Sequence, residues 1–353
     1  MMHCKPMVST IFPFSGAFER SALVIALAAV LATTAQAQSP AEFYKGRTIE
    51  IGISSTVGGG YDAHARMLAR HMSKYVPGHP AIVAKNIEGA GGLRLANLLY
   101  NTAPRDGTSF GTIYRATAFE PLFGNKAAQF DATRFTYIGS ASSEVSLCVS
   151  WHASGIATFA DMLSKELVVA HSGAGADAYQ FSKIINGVLG TRMRLIGGYR
   201  GGNEMLLAME RGEVGGRCGW SWSSVQATRR EWIERKQVNL LTQLALSKHP
   251  DIPGVPLVLD LAKTDEQRNI LRLVFARQQI AYPFLAPPGV PQDRAEALRT
   301  AFLKTMADPE LLADAQKARL EILPVSGAEV EKLVAELYAT PASVVEKASE
   351  MLK

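Results

Sequence analysis

Residues 51–72 read IGISSTVGGGYDAHARMLARHM, which predicts the end of a strand, a glycine turn and an amphipathic helix. Residues 167–189 repeat this order in LVVAHSGAGADAYQFSKIINGVL. Both turns read G-x-G-x-D-A, at Gly58–Ala63 and at Gly173–Ala178. Strands that alternate with helices in this way predict an α/β fold, with helices covering both faces of mostly parallel sheets.

The two turns predict a site for an anion. Glycines let the backbone approach a ligand closely, and Asp62 and Asp177 can cap the helices that follow. The free N–H groups of each first helical turn then point out of the carboxyl edge of the sheet. A third turn, Gly89–Gly92, also precedes a helix. Together the turns predict a small carboxylate held by backbone amides between two domains, although each turn alone is also compatible with a connection that binds nothing.

Other classes of site are disfavoured by the sequence. A dinucleotide-binding turn needs an acidic residue about 20 positions further on, and neither GHPAIV at 78–83 nor MRLIGG at 193–198 contains one. The lysine of a P-loop is missing from both turns, and the chain contains neither G-x-S-x-G nor H-E-x-x-H. We therefore expect no enzyme activity, no cofactor and no metal.

Length and composition favour a folded protein of about two domains. The chain has 353 residues, of which 47% are hydrophobic and 20% are charged, and these values exclude a disordered chain. The formal net charge is only +5, and no run of five to eight residues is rich in Lys and Arg. Nucleic acid is therefore not expected as a partner, and a monomer is expected.

The first 37 residues predict a secretory signal peptide. Lys5 and Arg20 precede the apolar run Ala22–Ala32, and small residues end in Ala35-Gln36-Ala37. A transmembrane anchor is the alternative, but it needs about 20 apolar residues. We expect cleavage near Ala37 and export of the remaining chain.

Two cysteines, Cys148 and Cys218, remain after this predicted cleavage. An oxidising compartment permits a disulfide between them. Both lie in apolar, strand-like sequence, VSLCVSW and VGGRCGW, where a buried free thiol is common. Free thiols are therefore the favoured prediction, and the disulfide stays an alternative.

Several segments in order along the chain resemble one family. They are IGISSTVGGGYDAHARMLARHM, NIEGAGGLRLANLL, APRDGTSFGTIY, AHSGAGADAYQFSKIINGVLG, GYRGGNEMLLAMERGEVGG and APPGVPQDRAEALRTAF, and the similarity covers residues 42–353. The chain resembles the solute receptors of tripartite tricarboxylate transporters, also called the Bug family. The resemblance implies a periplasmic two-lobed binding protein of type II, which closes on a small organic carboxylate like a Venus flytrap. It also implies delivery to a membrane permease of two integral subunits.

The resemblance implies lobe boundaries and a ligand site. Residues 38–146 together with 263–353 would form lobe 1, and residues 147–262 would form lobe 2. The ligand-binding residues implied by the matching motifs are Val57, Gly58, Gly59, Gly60, Asp62, Ala90, Gly91, Gly92, Tyr114, Arg115, Ala116, Thr117, Ser172, Gly173, Ala174, Gly175, Ala176, Tyr199 and Gly201.

Arg115 has two interpretations in the sequence. Its guanidinium can bind a ligand carboxylate with two hydrogen bonds, or it can pair with Glu120 or Glu144. The ligand itself stays open among aliphatic di- or tricarboxylates, amino acids and aromatic carboxylates. Two alternative functions also stay open: a receptor that reports its ligand to a signalling protein, and a periplasmic α/β hydrolase or lyase that uses Ser172 or Ser221.

Overall fold

The computed structural model describes residues 1–3, 38–55, 57–173, 176–199 and 201–352. The fold lies within the compact unit Pro40–Lys353. Most of the predicted signal peptide and the predicted site residues Ala174 and Gly175 fall outside the described residues. Among the residues that are described, no helix combines the length and the apolar character needed to cross a membrane.

Strands and helices alternate along most of the described chain. The strands are β1 (Thr48–Ile53), β2 (Ala81–Asn86), β3 (Ser109–Thr112), β4 (Thr136–Ser140), β5 (Ser146–Trp151), β6 (Leu167–Ala170), β7 (Met193–Ile196), β8 (Gly216–Ser221), β9 (Val238–Leu244), β10 (Pro283–Ala286) and β11 (Val325–Ser326). The helices are α1 (Pro40–Tyr44), α2 (Gly60–Met72), α3 (Leu93–Asn101), α4 (Asp161–Ser164), α5 (Asp177–Leu189), α6 (Gly202–Glu210), α7 (Trp222–Thr228), α8 (Arg230–Glu234), α9 (Asp265–Phe275), α10 (Gln292–Met306), α11 (Pro309–Ala318), α12 (Gly327–Tyr338) and α13 (Ala342–Leu352).

These strands form two sheets. The first has the order β11-β4-β10-β3-β1-β2, and the second has the order β7-β6-β8-β5-β9. The predicted class, an α/β protein with two sheets flanked by helices, is confirmed. The prediction that each sheet is mostly parallel is wrong, because both sheets are mixed. β1 is parallel to β2 and β3, and β6 is parallel to β7 and β8, whereas β10 runs antiparallel to both its neighbours and β5 to both of its own.

The chain crosses between the sheets twice, through residues 141–145 and 245–282. The crossings are hydrogen-bonded to each other: the Glu144 N–H donates to the Gln278 carbonyl at 2.8 Å, and the Ala281 N–H donates to the Ser142 carbonyl at 3.1 Å. Two adjacent crossings of this kind are suited to act as a hinge, since a few residues there can absorb a rotation of one sheet relative to the other.

Two helices from the C-terminal part of the chain pack against α5, the helix that follows β6 of the second sheet. The Phe275 ring of α9 lies 4.9 Å from the Phe181 ring of α5, centroid to centroid. A Cβ added at Gly187 of α5 would lie 2.8 Å from the Met351 side chain of α13. Segment 263–353, assigned to lobe 1 from the sequence, thus contributes α9 and α13 to the packing around α5.

Cys148 and Cys218 form a disulfide, and the prediction of free thiols is wrong. The two cysteines lie on the paired strands β5 and β8, where their Cα atoms are 3.9 Å apart. Sequence periodicity could not reveal this pairing, because β8 joins β5 only after two intervening strands. Closing a loop of 70 residues contributes roughly 4 kcal/mol to stability in the chain-entropy account.

Candidate functional site

A cavity of about 870 Å³ lies where loops of the two sheets meet. It is large enough for a small organic acid. The described residues that line it are Tyr61, Ala90, Gly91, Leu93, Tyr114, Arg115, Ala116, Glu120, Asn125, Ser172, Ala176, Asp177, Ser221 and Tyr282. Seven of the predicted site residues are in this wall: Ala90, Gly91, Tyr114, Arg115, Ala116, Ser172 and Ala176.

The first glycine turn is held together by Asp62. Its carboxylate accepts the Gly58 N–H at 2.9 Å and also accepts hydrogen bonds from Arg66 and Asn86, each at 2.9 Å. Burial opposes ionisation, but these hydrogen bonds outweigh it and lower the pKa of Asp62. Asp62 therefore stabilises the turn, and its carboxylate already accepts the Gly58 N–H. Tyr61 is the residue of this turn that lines the cavity.

The prediction that Asp62 and Asp177 cap the helices after the glycine turns is wrong. α2 and α5 have Gly59 and Ala176 at their N-caps, and neither cap makes a side-chain hydrogen bond. Asp62 and Asp177 lie inside the first helical turn instead. From there their carboxylates can point away from the helix axis and meet partners elsewhere.

The turn at Gly89–Gly92 packs against the loop that follows β3. Thr117 Oγ1 donates to the Gly91 carbonyl at 2.8 Å. Gly92 has a φ of +89°, and an added Cβ would lie 2.8 Å from Thr117 Oγ1 and 3.1 Å from Tyr114 Cδ2. Only glycine suits this position, since both the φ value and the close approach disfavour a side chain. Gly92 and Thr117 thus support the wall that Ala90, Gly91 and Tyr114 line.

Three tyrosines form an aromatic part of the wall. The Tyr61 ring lies 4.9 Å from Tyr114 and 5.0 Å from Tyr282, both edge to face. Tyr61 Oη accepts the Arg115 N–H at 3.0 Å, so the amide of Arg115 is already used. Burial raises the pKa of Tyr282 to about 12, which keeps its phenol neutral at physiological pH.

The second glycine turn contributes Ser172 and Ala176 to the wall. Its amides are also partly used: the Gly173 N–H donates to His171 Nδ1 at 3.1 Å, and the Ala176 N–H donates to the Gly173 carbonyl at 3.1 Å. Tyr199 and Gly201 lie in the turn before α6, and the structure does not bring them into the cavity wall described above. Internal bonds therefore occupy several amides that the sequence analysis assigned to the ligand.

The charge of the site is carried by side chains. Arg115 binds Asp177 through Nε at 3.1 Å and through Nη2. Arg277 Nη2 lies 3.3 Å from the other oxygen of Asp177, and Arg277 Nη1 donates to Gln180 at 2.7 Å. Two guanidinium groups thus share one carboxylate, so these three groups together carry one excess positive charge, and Glu120 adds a further carboxylate to the cavity wall.

Burial and pairing act against each other in this cluster. Burial alone would raise the pKa of Asp177, but Arg115 and Arg277 outweigh it and lower that pKa. Burial likewise opposes the charge on Arg115, but Asp177 outweighs it and raises the pKa. The pKa of Arg277 is lowered by burial, which Asp177 only partly offsets. All three groups are charged at neutral pH, since even a lowered arginine pKa lies far above 7.

Neither predicted carboxylate partner of Arg115 is its hydrogen-bond partner. Glu120 lines the cavity and accepts from Asn125 Nδ2 at 2.7 Å. Glu144 accepts from Ser223 Oγ at 2.5 Å and from the Val145 N–H at 3.0 Å, and burial raises its pKa. The pairing part of the Arg115 prediction therefore needs correction: the partner is Asp177, which the sequence analysis had treated as a helix cap.

The sequence did not predict Tyr61, Tyr282 or Arg277 as site residues. Tyr61 lies within the G-x-G-x-D-A turn and could have been included on position alone. Arg277 and Tyr282 lie in the second crossing between the sheets, about 100 residues beyond Asp177. No local pattern connects them with the glycine turns, since only the crossing of the chain brings them there.

A second charged cluster lies on the first sheet side of the molecule. Potential ligand atoms of His71, Asp308 and Glu310 lie within 4.8 Å of one another. Lys74 Nζ pairs with Asp308 and lies 2.9 Å from Glu310. An ammonium group of the protein thus already pairs with both carboxylates of this cluster.

No protein-family model and no curated protein sequence matches this chain. Several solved structures, by contrast, match its fold. A TctC solute-binding protein from Polaromonas, solved without ligand, has a TM-score of 0.66 and 16% identity, and the match covers 86% of this chain and 99% of that one. The periplasmic binding protein BugD has a TM-score of 0.61 and 18% identity, with 86% and 98% covered. MatC from Rhodopseudomonas palustris with bound malate has a TM-score of 0.59 and 18% identity, with 87% and 99% covered.

The chain therefore has the two-lobed fold of the TctC and Bug solute-binding proteins of tripartite tricarboxylate transporters. The matches extend over nearly the whole of each of the three solved chains, so the similarity covers both sheets.

Proposed function

We propose that this protein is an exported solute receptor of the tripartite tricarboxylate transporter type, which binds a small organic carboxylate between its two lobes. The observation that carries the proposal is the cavity between the sheets, whose wall contains the Arg115 guanidinium paired with Asp177, while Arg277 contacts the other oxygen of Asp177. The Arg115 side chain is only 13% exposed, and such a charge attracts an anion more strongly than an exposed one, because less water screens it.

We propose Arg115 as the principal ligand residue. A guanidinium can hold a carboxylate with two hydrogen bonds in a fixed geometry. The wall of Ala90, Gly91, Tyr114, Ala116, Ser172 and Ala176 would enclose the rest of the ligand, with Gly92 and Thr117 supporting it. Val57, Gly58, Gly59, Gly60 and Asp62 would act mainly by shaping the first turn, and Tyr199 and Gly201 would approach the ligand only as the lobes close.

The lobes would move about the two crossings between the sheets. We retain lobe 1 as residues 38–146 with 263–353 and lobe 2 as residues 147–262, with α9 and α13 packing across to α5. Binding would shift an open–closed equilibrium, because the ligand contacts both lobes only in the closed state. The closed receptor would act as a monomer without chemistry at the site and deliver its ligand to a permease of two integral subunits, with the signal peptide directing it to the periplasm.

A hydrolase is less well supported. Ser172 and Ser221 both line the cavity, but among the residues that the structure describes no hydrogen bond joins either hydroxyl to a histidine. A nucleophilic serine needs such a base within hydrogen-bond reach. A receptor for a signalling partner would use the same cavity, and a pull-down from membranes that contain the permease would separate the two.

A thermal-shift screen tests the proposal. The mature protein is heated with malate, citrate, aspartate, adipate and benzoate, and with malamide as a neutral control of similar shape to malate. A carboxylate at 100 times its Kd adds about 2.7 kcal/mol of stability, which is a shift of several degrees. A shift with at least one carboxylate and none with malamide supports the receptor. No shift with any of the carboxylates contradicts it.

A further inference from the structure

We propose that Asp177 is a resident counter-ion of the ligand site, which occupies Arg115 in the ligand-free protein and yields that guanidinium to a carboxylate of the ligand. The proposal rests on the proposed function and assigns a role that neither the sequence pattern nor the fold specifies. It makes Asp177 a determinant of affinity and of ligand charge.

The position of the pair supports this role. Arg115 follows β3 of the first sheet, whereas Asp177 begins α5, which follows β6 of the second. Both residues are part of the cavity wall, and their side chains keep 13% and 22% of their surface exposed. An arriving ligand can therefore reach the pair, and the pair joins the two sheets across the cavity.

The geometry leaves Asp177 a second partner when Arg115 is taken. Arg115 binds one oxygen of Asp177, and Arg277 lies 3.3 Å from the other oxygen. Arg277 is fixed in turn by its hydrogen bond to Gln180, the third residue after Asp177 in α5. A ligand carboxylate can thus replace Asp177 on Arg115 while Asp177 stays neutralised by Arg277, so no buried charge is left without a partner.

The charges then define the ligand class. With the ligand bound, each of the two guanidiniums has one carboxylate: Arg115 has that of the ligand and Arg277 has that of Asp177. A neutral ligand cannot displace Asp177, because Arg115 would lose a charged partner without gaining one. The ligand class that fits is an organic anion with a free carboxylate, and Asp177 selects against amides and alcohols of the same shape.

A structural role and a counter-ion role predict opposite effects of the same substitution. If Asp177 only supported the site, removing its charge would weaken binding. If it competes with the ligand for Arg115, removing its charge strengthens binding, since the apparent affinity is reduced by the fraction of protein in which Arg115 is occupied.

Calorimetric titration of the mature wild-type protein and of Asp177→Asn with malate tests this. We expect malate affinity to rise at least tenfold in the variant, which corresponds to about 1.4 kcal/mol, and malamide to remain without binding to either protein. The matched control is Asp308→Asn, which removes a buried carboxylate from Lys74 outside the cavity and leaves malate affinity unchanged. Unchanged or weaker malate binding by Asp177→Asn overturns the proposal.

A second measurement needs no ligand. The Arg115–Asp177 pair joins the two sheets, so its loss frees the lobes of the empty protein. Small-angle scattering is expected to give a larger radius of gyration for ligand-free Asp177→Asn and Arg115→Gln than for the wild type and for Asp308→Asn. Equal radii for all four proteins overturn the proposal. If the wild type binds no carboxylate at all, the proposed function fails, and this comparison still decides whether the pair holds the lobes together.

Discussion

The two G-x-G-x-D-A turns have the same sequence spacing, but their aspartates have different kinds of partners. Asp62 accepts hydrogen bonds from Gly58, Arg66 and Asn86, all within or beside its own sheet. Asp177 instead meets Arg115 from the other sheet and Arg277 from the crossing segment. One turn is a closed local unit, and the other joins separate parts of the molecule at the cavity.

The difference can be traced to one position. Four residues after Asp62 the chain has Arg66, which lies on the same helix face and pairs with it. Four residues after Asp177 the chain has Phe181, which is fully buried, and its ring lies 4.5 Å below the Arg277 guanidinium. Without a base on its own helix, Asp177 is free to pair with arginines from elsewhere. The repeated spacing therefore predicts where each aspartate lies. The residue four positions further along the helix determines whether the aspartate pairs within its own helix or with a distant part of the chain.

The largest expected effect separates the arginine partners of the two aspartates. Arg115→Gln should weaken malate binding about 10- to 100-fold, because a hydrogen bond to a charged group contributes roughly 1.5–3 kcal/mol. The Arg66 side chain is 41% exposed and pairs with Asp62. Arg66→Gln removes this partner of Asp62 and should leave malate affinity unchanged. Calorimetry on both variants measures this. Equal affinities for Arg115→Gln and the wild type would remove the functional distinction between the turns.

The next effect concerns stability. Asp62→Ala should lower the free energy of unfolding by about 1–3 kcal/mol, because the Gly58 N–H and the Asn86 side chain lose hydrogen bonds to a charged acceptor. Chemical denaturation measures this loss, with Asp293→Ala, at an exposed position in the first turn of α10, as a control for a smaller effect.

The same residue gives the turn a pH dependence. The pKa of Asp62 is lowered in the folded protein, so its contribution is present above the unfolded value of about 3.9 and is lost as the pH falls through the lower folded value. Wild type should therefore lose more stability than Asp62→Asn as the pH falls below about 4. Parallel acid unfolding curves for the two proteins would show that Asp62 does not hold the turn.

The smallest expected effect concerns the third glycine turn, which supports the wall between the other two. Gly92→Ala should cost about 1–2 kcal/mol of stability and reduce malate affinity severalfold, because its Cβ meets Thr117 Oγ1 at a strained φ. Gly124→Ala is the matched control, since Gly124 also has a positive φ, at +78°, but has no atom within 4 Å of an added Cβ. Similar losses for both variants would show that the contact with Thr117 is unimportant.

Local features of the fold could be predicted from the sequence. The helix predicted after the second glycine turn is observed at Asp177–Leu189, and the strand predicted before the first turn is observed at Thr48–Ile53. Apolar periodicity and glycine turns act over a few residues, and they determine these elements directly. The resemblance to the Bug receptors implied half of the residues that line the cavity, namely Ala90, Gly91, Tyr114, Arg115, Ala116, Ser172 and Ala176.

The remaining features depend on contacts distant in sequence. Antiparallel insertion of β10 and the position of Arg277 follow from the two crossings between the sheets. The pairing of Cys148 with Cys218 follows from the pairing of β5 with β8 across two intervening strands. The sequence also could not predict which backbone amides are already hydrogen-bonded. The Gly173 N–H donates to the His171 side chain, and the Arg115 N–H donates to the Tyr61 side chain. The sequence thus predicted seven of the residues that line the cavity, whereas the charged pair of Arg115 with Asp177 in its wall was found only in the tertiary structure.

A crystal structure of the mature protein with malate tests the central claim most directly. We expect a malate carboxylate within hydrogen-bond distance of the Arg115 guanidinium, with Asp177 displaced from Arg115 and retained by Arg277, and with the Asp62 contacts to Gly58 and Arg66 unchanged. A malate bound on the Gly58–Gly60 amides, with the Arg115–Asp177 pair intact, would contradict the account.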